Sequence, residues 1–261
     1  MCKKYKLTSE TKTFGSHTLY QIQALKTFGT PIHTIRAGEY GGWVESEKNL
    51  SQTDGCWIFD GAQVRGDSQV YGNAQVFGGA QVYGKARIGS DARVYGKAQV
   101  CGNAQVGGCA QVYGDAFVGG SAHVWGDARI YSNAQVYDNA QVYGSARVYG
   151  DAFVGGSAQV YGNARISGRA HVSGNANIVQ NGDIRRSTDS LVIGPIGSRN
   201  DHTTFYRTAS NKIQVVCGCF TGSIDQFLAA AKKKHGDNHH GKMYKMAAEL
   251  ARAQILEGNK E

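Results

Sequence analysis

A six-residue repeat is the feature that most constrains how this chain can fold. From Ile58 to Ile184 every sixth residue is Val or Ile, at 22 successive positions. A second fixed position lies two residues before each of them. From Ala62 to Ala176 it holds Ala at 19 of 20 positions, with Ser68 as the exception. A period of six does not match the 3.6-residue period of an α-helix, so the repeat predicts another regular structure.

Each repeat unit reads G-x-A-x-V-x and predicts one short strand followed by a tight turn. Ala and Val are two residues apart, so they point to the same side of a strand, and the residues next to Val point to the other side. Gly, often followed by Asn or Asp, suits a corner where the backbone needs a positive φ. A single unit cannot bury its apolar side alone. The repeats therefore predict a solenoid whose stacked coils share a narrow core of Val, Ile and Ala.

The outward residue after each Val or Ile indicates how many units form one coil. Sampled every 18 residues, one of the three sets is aromatic throughout, whereas the other two sets are mixed. Its members are Phe59, Phe77, Tyr95, Tyr113, Tyr131 and Tyr149. An unbroken column suggests side chains stacked on one face, so we predict three units per coil and about seven coils between residues 58 and 184.

The repeat resembles that of the hexapeptide-repeat proteins, which form a left-handed parallel β-helix. Their pattern places an aliphatic residue at one position and a small residue four positions later, as Val76 and Ala80 do here. The left hand is what this resemblance implies, and it runs against the usual right-handed crossover. Tyr or Phe usually follows the aliphatic residue here, where the family commonly has Gly. Residues 41–47 (GGWVESE) with 49–51 also resemble uncharacterised bacterial and prophage members of this group.

The chain outside the repeat predicts two further regions and a linker. Residues 1–57 mix short strand-like pieces with Gly turns. They predict an N-terminal capping region, because the open end of a β-helix would otherwise promote aggregation. The β-helix itself spans residues 58–184. Residues 185–190 predict a linker, and residues 191–261 predict a small α+β domain in which strands precede two helices.

The C-terminal domain has recognisable element boundaries. Ser223 and Gln226 fit a capping box, which opens a helix running to about residue 234. An apolar face over about residues 242–256 predicts a second helix. The strands are predicted at residues 191–196, 203–208 and 213–220.

Composition restricts the class of protein. Apolar residues make up 41% of the chain and aromatic residues 10%, more than a disordered chain carries. No apolar run approaches the length of a membrane span, and no apolar stretch follows the first charged residues. We therefore expect a cytoplasmic protein with no membrane partner and no signal peptide. The six cysteines do not form a secreted disulfide framework, and the net charge of +8 permits an anionic partner.

Arginines share one outward face with the aromatic column. The arginines are Arg93, Arg129, Arg147 and Arg165, and the tyrosines beside them are Tyr95, Tyr113, Tyr131 and Tyr149. Arg recognises phosphate or carboxylate with two parallel hydrogen bonds, and Tyr rings can stack on bases or sugars. The same ladders could instead stabilise the rod through Arg–Tyr contacts, or face a second copy of the chain. The residues argue against nucleic acid as a partner, because aspartates leave the repeat region almost neutral.

The C-terminal domain contributes further candidates for ligand binding. Residues 194–204 contain Arg199 and His202 and could present backbone N–H groups to a phosphate. The segment lacks the G-K-[ST] of a P-loop, and a plain hairpin is the alternative. Cys217 and Cys219 could form a zinc site with nearby histidines. Residues two apart in a strand face opposite sides, however, so no metal site is predicted.

The resemblance also raises two enzymatic functions. Many hexapeptide-repeat proteins are acyltransferases, which implies acyl-CoA and a His base beside a groove between subunits. The γ-class carbonic anhydrases share the fold and need three His ligands for their metal. Here only His123 and His171 lie in the repeat, in different columns, and no unit is interrupted by a loop. We therefore predict no catalytic residue, no cofactor and no metal.

These observations favour a non-enzymatic binding or scaffold protein. We expect a homo-oligomer, either a dimer or a trimer. It would bind a host protein or a small anionic ligand, which could be of the nucleotide type, through the C-terminal domain, the Arg/Tyr face or both. An accessory, phage-like role follows from the resemblance alone. A CoA-dependent hexapeptide acyltransferase is the alternative.

Overall fold

A parallel β-solenoid of about eight turns forms the main body of the protein. The computed structural model describes residues 3–257. Within them, each repeat unit supplies a two-residue strand and a turn, as the repeat predicted. The strands stack into three sheets, here called the first, second and third faces.

The strands of the three faces follow each other in rotation along the chain. The first face contains Gln63–Val64, Gln81–Val82, Gln99–Val100, Phe117–Val118, Gln135–Val136, Phe153–Val154 and His171–Val172. The second face contains Gln69–Val70, Arg87–Ile88, Gln105–Val106, His123–Val124, Gln141–Val142, Gln159–Val160 and Asn177–Ile178. The third face contains Trp57–Ile58, Gln75–Val76, Arg93–Val94, Gln111–Val112, Arg129–Ile130, Arg147–Val148, Arg165–Ile166 and Asp183–Ile184.

Strands that are 18 residues apart pair in register. Val82, for example, is the direct neighbour of Val100, and Val94 is the direct neighbour of Val112. This register confirms the prediction of three units per coil. Consequently, each outward column of the sequence becomes a ladder of side chains on one face.

The core of the solenoid contains the two fixed positions of the repeat. The repeat Val, Ile and Ala residues between positions 62 and 184 are at most 2% exposed. Ser68, the exception in the Ala column, is also buried. Its hydroxyl donates a hydrogen bond to the carbonyl oxygen of Arg65 at 2.7 Å, so the polar group remains satisfied. The predicted inward columns are confirmed.

The corners explain why the repeat contains glycine. Gly102 has a φ of +67°, a backbone conformation that residues with a Cβ rarely adopt. A Cβ atom at this position would also lie 2.7 Å from the carbonyl oxygen of Gly120 in the next coil. Both the backbone conformation and the close stacking of the coils therefore favour glycine.

The solenoid contains one turn more than the repeat pattern predicted. Val44 and Leu50 of the N-terminal region and Ile58, the first residue of the repeat, pair in parallel with Val64, Val70 and Val76 of the second turn. The segment that contains these residues does not have Gly and Ala at the regular spacing of the repeat unit. Residues 40–58 of the predicted cap and repeat therefore form the first turn.

The N-terminal cap extends the first face with antiparallel strands. Tyr5–Phe14 pairs with His17–Ala24, which in turn pairs with Tyr40–Val44. A short hairpin of Phe28–Gly29 and Thr34–Ile35 lies between them. The ring of Trp57 is fully buried, and its centroid lies 5.4 Å from the ring centroid of Phe28. The cap thus covers the open end of the core with aromatic rings.

A buried lysine also helps to close this end. The Lys4 ammonium donates hydrogen bonds to the carbonyl oxygens of Thr53 and Cys56 at 3.0 and 2.9 Å. Burial lowers the pKa of Lys4, because removal of the side chain from water disfavours its charged form. Lys4 ties the start of the chain to the loop that precedes Trp57.

The C-terminal region folds into a four-stranded antiparallel sheet with two helices. The helices are α1 (Ile224–His235) and α2 (His239–Arg252), and α2 continues into a π-helical turn at Ala253–Glu257. The strands are Ser190–Ile196, Asp201–Arg207, Ile213–Cys217 and Phe220–Ser223.

The capping residues at both ends of α1 agree with the sequence pattern. The Ser223 hydroxyl accepts a hydrogen bond from the Gln226 backbone, and the Gln226 side chain accepts one from the Ser223 backbone. Gly236 ends the helix with a positive φ. Helix α2 begins three residues earlier than predicted, because the Asn238 side chain caps it by accepting from the Gly241 N–H at 3.0 Å.

The two sides of the C-terminal sheet have different partners. Phe205 and Val215 pack with the helices, whereas Tyr206 and Val216 pack with the core of the solenoid. The Tyr206 hydroxyl donates a hydrogen bond to the carbonyl oxygen of Val179 at 3.2 Å. The C-terminal sheet therefore covers the second open end of the solenoid.

Similar 3-10 turns lie in the first turn of the solenoid and at its exit. A 3-10 turn, Glu47–Asn49, follows the strand of the first turn, and the Asn49 side chain accepts from two backbone N–H groups. A second 3-10 turn, Ser187–Asp189, lies in the segment predicted as a linker. The Asp189 carboxylate accepts from the N–H groups of Arg185 and Arg186 at 3.0 Å each.

The contact of Tyr206 with the end of the solenoid predicts a loss of stability at alkaline pH. Tyr206 is fully buried, and burial raises its pKa in the folded protein. In the unfolded chain a tyrosine ionises near pH 10, so above about pH 10 the unfolded state loses a proton that the folded state keeps. Stability should then fall by about 1.4 kcal/mol per pH unit for this residue. Tyr206→Phe should reduce the slope of unfolding free energy against pH by that amount, and Tyr40→Phe, at an exposed ring, should not.

Candidate anion-binding face

The four predicted arginines lie on the third face of the solenoid. Arg129 pairs in register with Arg147, and Arg147 pairs with Arg165. Arg93 lies two coils before Arg129, with Gln111 between them. Neighbouring strands of a sheet are about 4.8 Å apart, so the three consecutive arginines form a closely spaced row of like charges.

These arginines have few partners within the protein. Arg129, Arg147 and Arg165 are exposed, and Arg93 is half-buried. In the part of the chain that the structure describes, no hydrogen bond or ion pair joins any of the four guanidinium groups to another residue. Adjacent like charges repel each other, and a bound anion would relieve that repulsion.

The aromatic column forms a continuous stack beside the arginines. Ring centroids from Phe77 to Tyr149 are 4.7 to 5.0 Å apart, and successive ring planes differ by only 2–3°. Phe59 extends the column with an edge-to-face contact to Phe77 at 6.1 Å. The rings stabilise one another across the coils, and their exposed edges give the face a flat surface.

Among the described residues, none of the four arginines of the third face makes a cation–π contact with an aromatic ring. Among residues 3–257, the arginines that lie over aromatic rings are Arg65 and Arg87, on the first and second faces. Arg65 lies between Phe14 and Tyr83, at 4.2 and 4.4 Å from their ring centroids. The guanidinium groups of the third face remain available to a partner outside the chain.

The arginines act on the tyrosine hydroxyls through space. Burial raises the pKa of Tyr131, the neighbouring Tyr149 and Tyr113 raise it further, and Arg147 and Arg129 oppose this shift. At neutral pH the hydroxyl is therefore a neutral hydrogen-bond donor next to two cations. The face presents guanidinium groups, phenol hydroxyls and aromatic rings on the same strands and the residues that follow them.

Further charges lie at the C-terminal end of this face, which the sequence analysis did not identify. Arg165 pairs in register with Asp183, and the Asp183 carboxylate accepts a hydrogen bond from Arg185 at 2.7 Å. Next to this pair lies a cavity of about 260 Å³, which is lined by Arg185, Arg186 and Arg207. The signal was present as two consecutive arginines in the segment predicted as a linker.

Arg199 and His202, the two candidate residues of the C-terminal domain, lie in different surroundings. Arg199 lies in the turn of the hairpin formed by Ser190–Ile196 and Asp201–Arg207, and it lines a cavity of about 130 Å³. His202 does not line this cavity, and its ring lies 3.2 Å from the side-chain nitrogen of Asn175 in the last part of the solenoid. The segment is a hairpin, and its Arg and His do not form one site.

The two cysteines are arranged differently from the prediction. Cys217 ends a strand, Gly218 has a φ of +57°, and Phe220 begins the next strand. Because the chain turns here, Cys217 and Cys219 line the same cavity instead of facing opposite sides. No group of three or more His, Cys, Asp or Glu side chains that could hold a metal occurs in residues 3–257.

The histidines of the repeat do not share a site. His123 lies on the second face and His171 on the first face, and both are exposed. The His171 ring makes an edge-to-face contact with Phe153 at 4.2 Å. Strands follow one another every six residues through this region, and no loop extends from the coils.

Comparison with known proteins agrees with the architecture. Four stretches of the chain match the family described as the YdcK beta solenoid repeat, at residues 68–84, 134–150, 140–156 and 158–174. The chain is a β-solenoid repeat protein. No curated protein matches it. Among its described residues, no helix is long and apolar enough to cross a membrane.

Proposed function

We propose that this β-solenoid is a non-enzymatic binding or scaffold protein whose third face binds an anionic partner. The observation that carries the proposal is the row formed by Arg129, Arg147 and Arg165, which are exposed, in register and unpaired among the described residues. The arginines would supply charge-assisted hydrogen bonds to phosphate or carboxylate groups. The aromatic stack from Phe77 to Tyr149 would supply rigidity and contact with an apolar or ring-containing part of the partner.

The proposal includes the finer features that the resemblance implies. The solenoid would be left-handed and of the hexapeptide type, and the protein would be a cytoplasmic homo-oligomer. Its partner would be a small anionic ligand or a host protein, in an accessory, phage-like role. Native mass spectrometry of protein purified gently from cells would give the oligomeric state and any retained anion in one measurement.

Charge substitution on the third face tests the binding proposal. Replacing Arg129, Arg147 and Arg165 together by Ala should weaken binding of inorganic tripolyphosphate by more than about 100-fold, because each charge-assisted hydrogen bond contributes about 1.5 kcal/mol or more. Thermal stability should stay the same or rise slightly, since like-charge repulsion is removed. Isothermal titration calorimetry and circular dichroism melting measure the two effects.

A matched variant separates a specific face from general charge. Lys6 in the N-terminal cap, Lys85 at the corner between the first and second faces, and Lys233 in α1 are exposed, so replacing them by Ala removes the same formal charge away from the third face. This variant should retain most of the affinity for tripolyphosphate. Equal losses in the two triple variants would contradict a site on the third face. A large drop in melting temperature of the face variant would indicate that these arginines stabilise the fold instead.

A further inference from the structure

Cys217 and Cys219 are brought together by a tight hairpin turn. Cys217 pairs with Phe220, so Gly218 and Cys219 are the two residues of the turn. The positive φ of Gly218 permits this turn, and its Cα lies beneath the Arg199 guanidinium, since a Cβ there would be 2.7 Å from Nη1. Both thiols consequently line one cavity of about 130 Å³.

The surroundings of the two thiols differ. Cys219 is exposed, and its Sγ lies 3.9 Å from the Arg199 Nη1. Cys217 is half-buried, and the Thr203 hydroxyl donates a hydrogen bond to its Sγ at 3.2 Å. The hydroxyl of buried Tyr244 also interacts with Cys217. The accessible thiol can start an exchange with a small disulfide, and the second thiol beside it can resolve the mixed disulfide that forms.

The cavity also contains groups that would attract an anionic thiol reagent. Lys234 and His235 line it together with Arg199, and Phe220 and Phe227 form much of its apolar wall. Reactive cysteines in proteins typically lie in electropositive, partly exposed settings. Of the solenoid cysteines that the structure describes, Cys56 is fully buried, Cys109 lies at an exposed corner, and half-buried Cys101 lies near Arg65 and Tyr83. Cys217 and Cys219 differ from these three because they line one cavity together.

We propose that Cys217 and Cys219 form a redox-active dithiol–disulfide pair that exchanges with small anionic disulfides of the glutathione type. The Cys219 thiolate attacks one sulfur of the small disulfide, forms a mixed disulfide and releases one small thiolate. The Cys217 thiolate then attacks the Cys219 sulfur, forms the internal disulfide and releases the second thiolate. The two protons of the protein thiols pass to the two released thiolates, so the small disulfide is reduced as the protein is oxidised.

The short spacing makes the internal disulfide reversible. A bridge across a single intervening residue closes a small ring, and disulfides in constrained geometry are reduced more easily than structural ones. Excess reduced glutathione should therefore restore both thiols. The pair would respond to the ratio of oxidised to reduced glutathione and would not act as a permanent crosslink.

The test uses the reduced full-length protein in a series of glutathione redox buffers. After quenching by alkylation, intact mass and peptide mapping should show that the internal Cys217–Cys219 disulfide forms with oxidised glutathione and disappears with reduced glutathione. Cys217→Ser should instead accumulate one glutathione on Cys219. Cys219→Ser should form neither product in this domain, and Cys109→Ser should behave as the parent protein.

Two outcomes would overturn the proposal. One is that both thiols remain free in excess oxidised glutathione, and the other is that Cys219 in the Cys217→Ser variant reacts no faster than Cys109. Arg199→Ala provides an independent measurement, because Arg199 is exposed and its loss should not unfold the domain. It should slow glutathione addition to Cys219 at least about threefold, and an unchanged rate would contradict the role given to Arg199. None of these results depends on the third face.

Discussion

Replacing Val112 by Asp is expected to unfold the solenoid or to split it near its middle. Val112 is fully buried, and its neighbours in the column are Val94 and Ile130. A carboxylate at this position would lie among apolar side chains with no cation or water to stabilise it. The cost should reach at least about 4 kcal/mol, a large share of the stability of an ordinary domain.

The position of Val112 makes the effect more severe than one at either end. Each coil of a solenoid contacts only the coil before and the coil after it, so stability depends on an unbroken series of such contacts. A defect in a middle coil uncouples the half that carries the N-terminal cap from the half that the C-terminal sheet covers. Each half would then expose an open edge of sheet, which favours aggregation.

Circular dichroism melting and size-exclusion chromatography should detect this effect. Val112→Asp should melt far below the parent protein or elute as aggregate. Gln141→Asp introduces the same side chain at an exposed outward position of the second face, so its melting temperature should stay close to that of the parent. If Val112→Asp melted like the parent protein, the inward assignment of the Val column would be wrong.

The solenoid was predictable because its inward and outward columns repeat along the sequence. The 18-residue register, the buried Val and Ala columns and the aromatic column all follow from that spacing. The first turn was not predictable in the same way. Val44 and Leu50 are six residues apart, but Ile58 follows Leu50 by eight, so two additional residues break the period. Lys4, distant in sequence, binds the carbonyl groups of this irregular segment.

The candidate sites differ in the same way. The site that follows from the repeat was predictable from the sequence, whereas the placement of residues in the C-terminal domain depends on the tertiary fold. The arginine row follows from register alone, because every eighteenth residue lies on one face. The placement of Cys217 and Cys219 depends on whether the chain continues as a strand or turns at Gly218, and the spacing of the two cysteines does not decide this. Arg199 and His202 are close in sequence, but the hairpin places one in its turn and the other in a strand near the solenoid.

The second large effect is expected where the chain leaves the solenoid, at Asp189. Its carboxylate is 2% exposed and accepts a hydrogen bond from Arg207 Nε at 2.8 Å, while Arg207 itself is only 15% exposed. The same carboxylate holds the N–H groups of Arg185 and Arg186. Asp189→Ala would leave a sheltered guanidinium without its counter-ion and two N–H groups without their acceptor. We expect a loss of about 3–5 kcal/mol in the free energy of unfolding.

This loss should be local to the C-terminal domain. The Arg207 guanidinium also donates to the carbonyl oxygen of Ile255, so Asp189 and Arg207 join the exit of the solenoid to the π-helical turn that follows α2. Hydrogen exchange of Asp189→Ala should therefore increase across residues 190–257, while the Val and Ala columns of the solenoid stay protected.

A second ion pair of this domain provides the control. Asp225 pairs with Arg252, but both side chains are exposed, so Asp225→Ala should cost no more than about 1 kcal/mol. Comparable losses in the two variants would show that burial does not set the strength of these pairs. Faster exchange throughout the solenoid in Asp189→Ala would show instead that the C-terminal sheet is needed to hold the coils together, because Tyr206 and Val216 cover their open end.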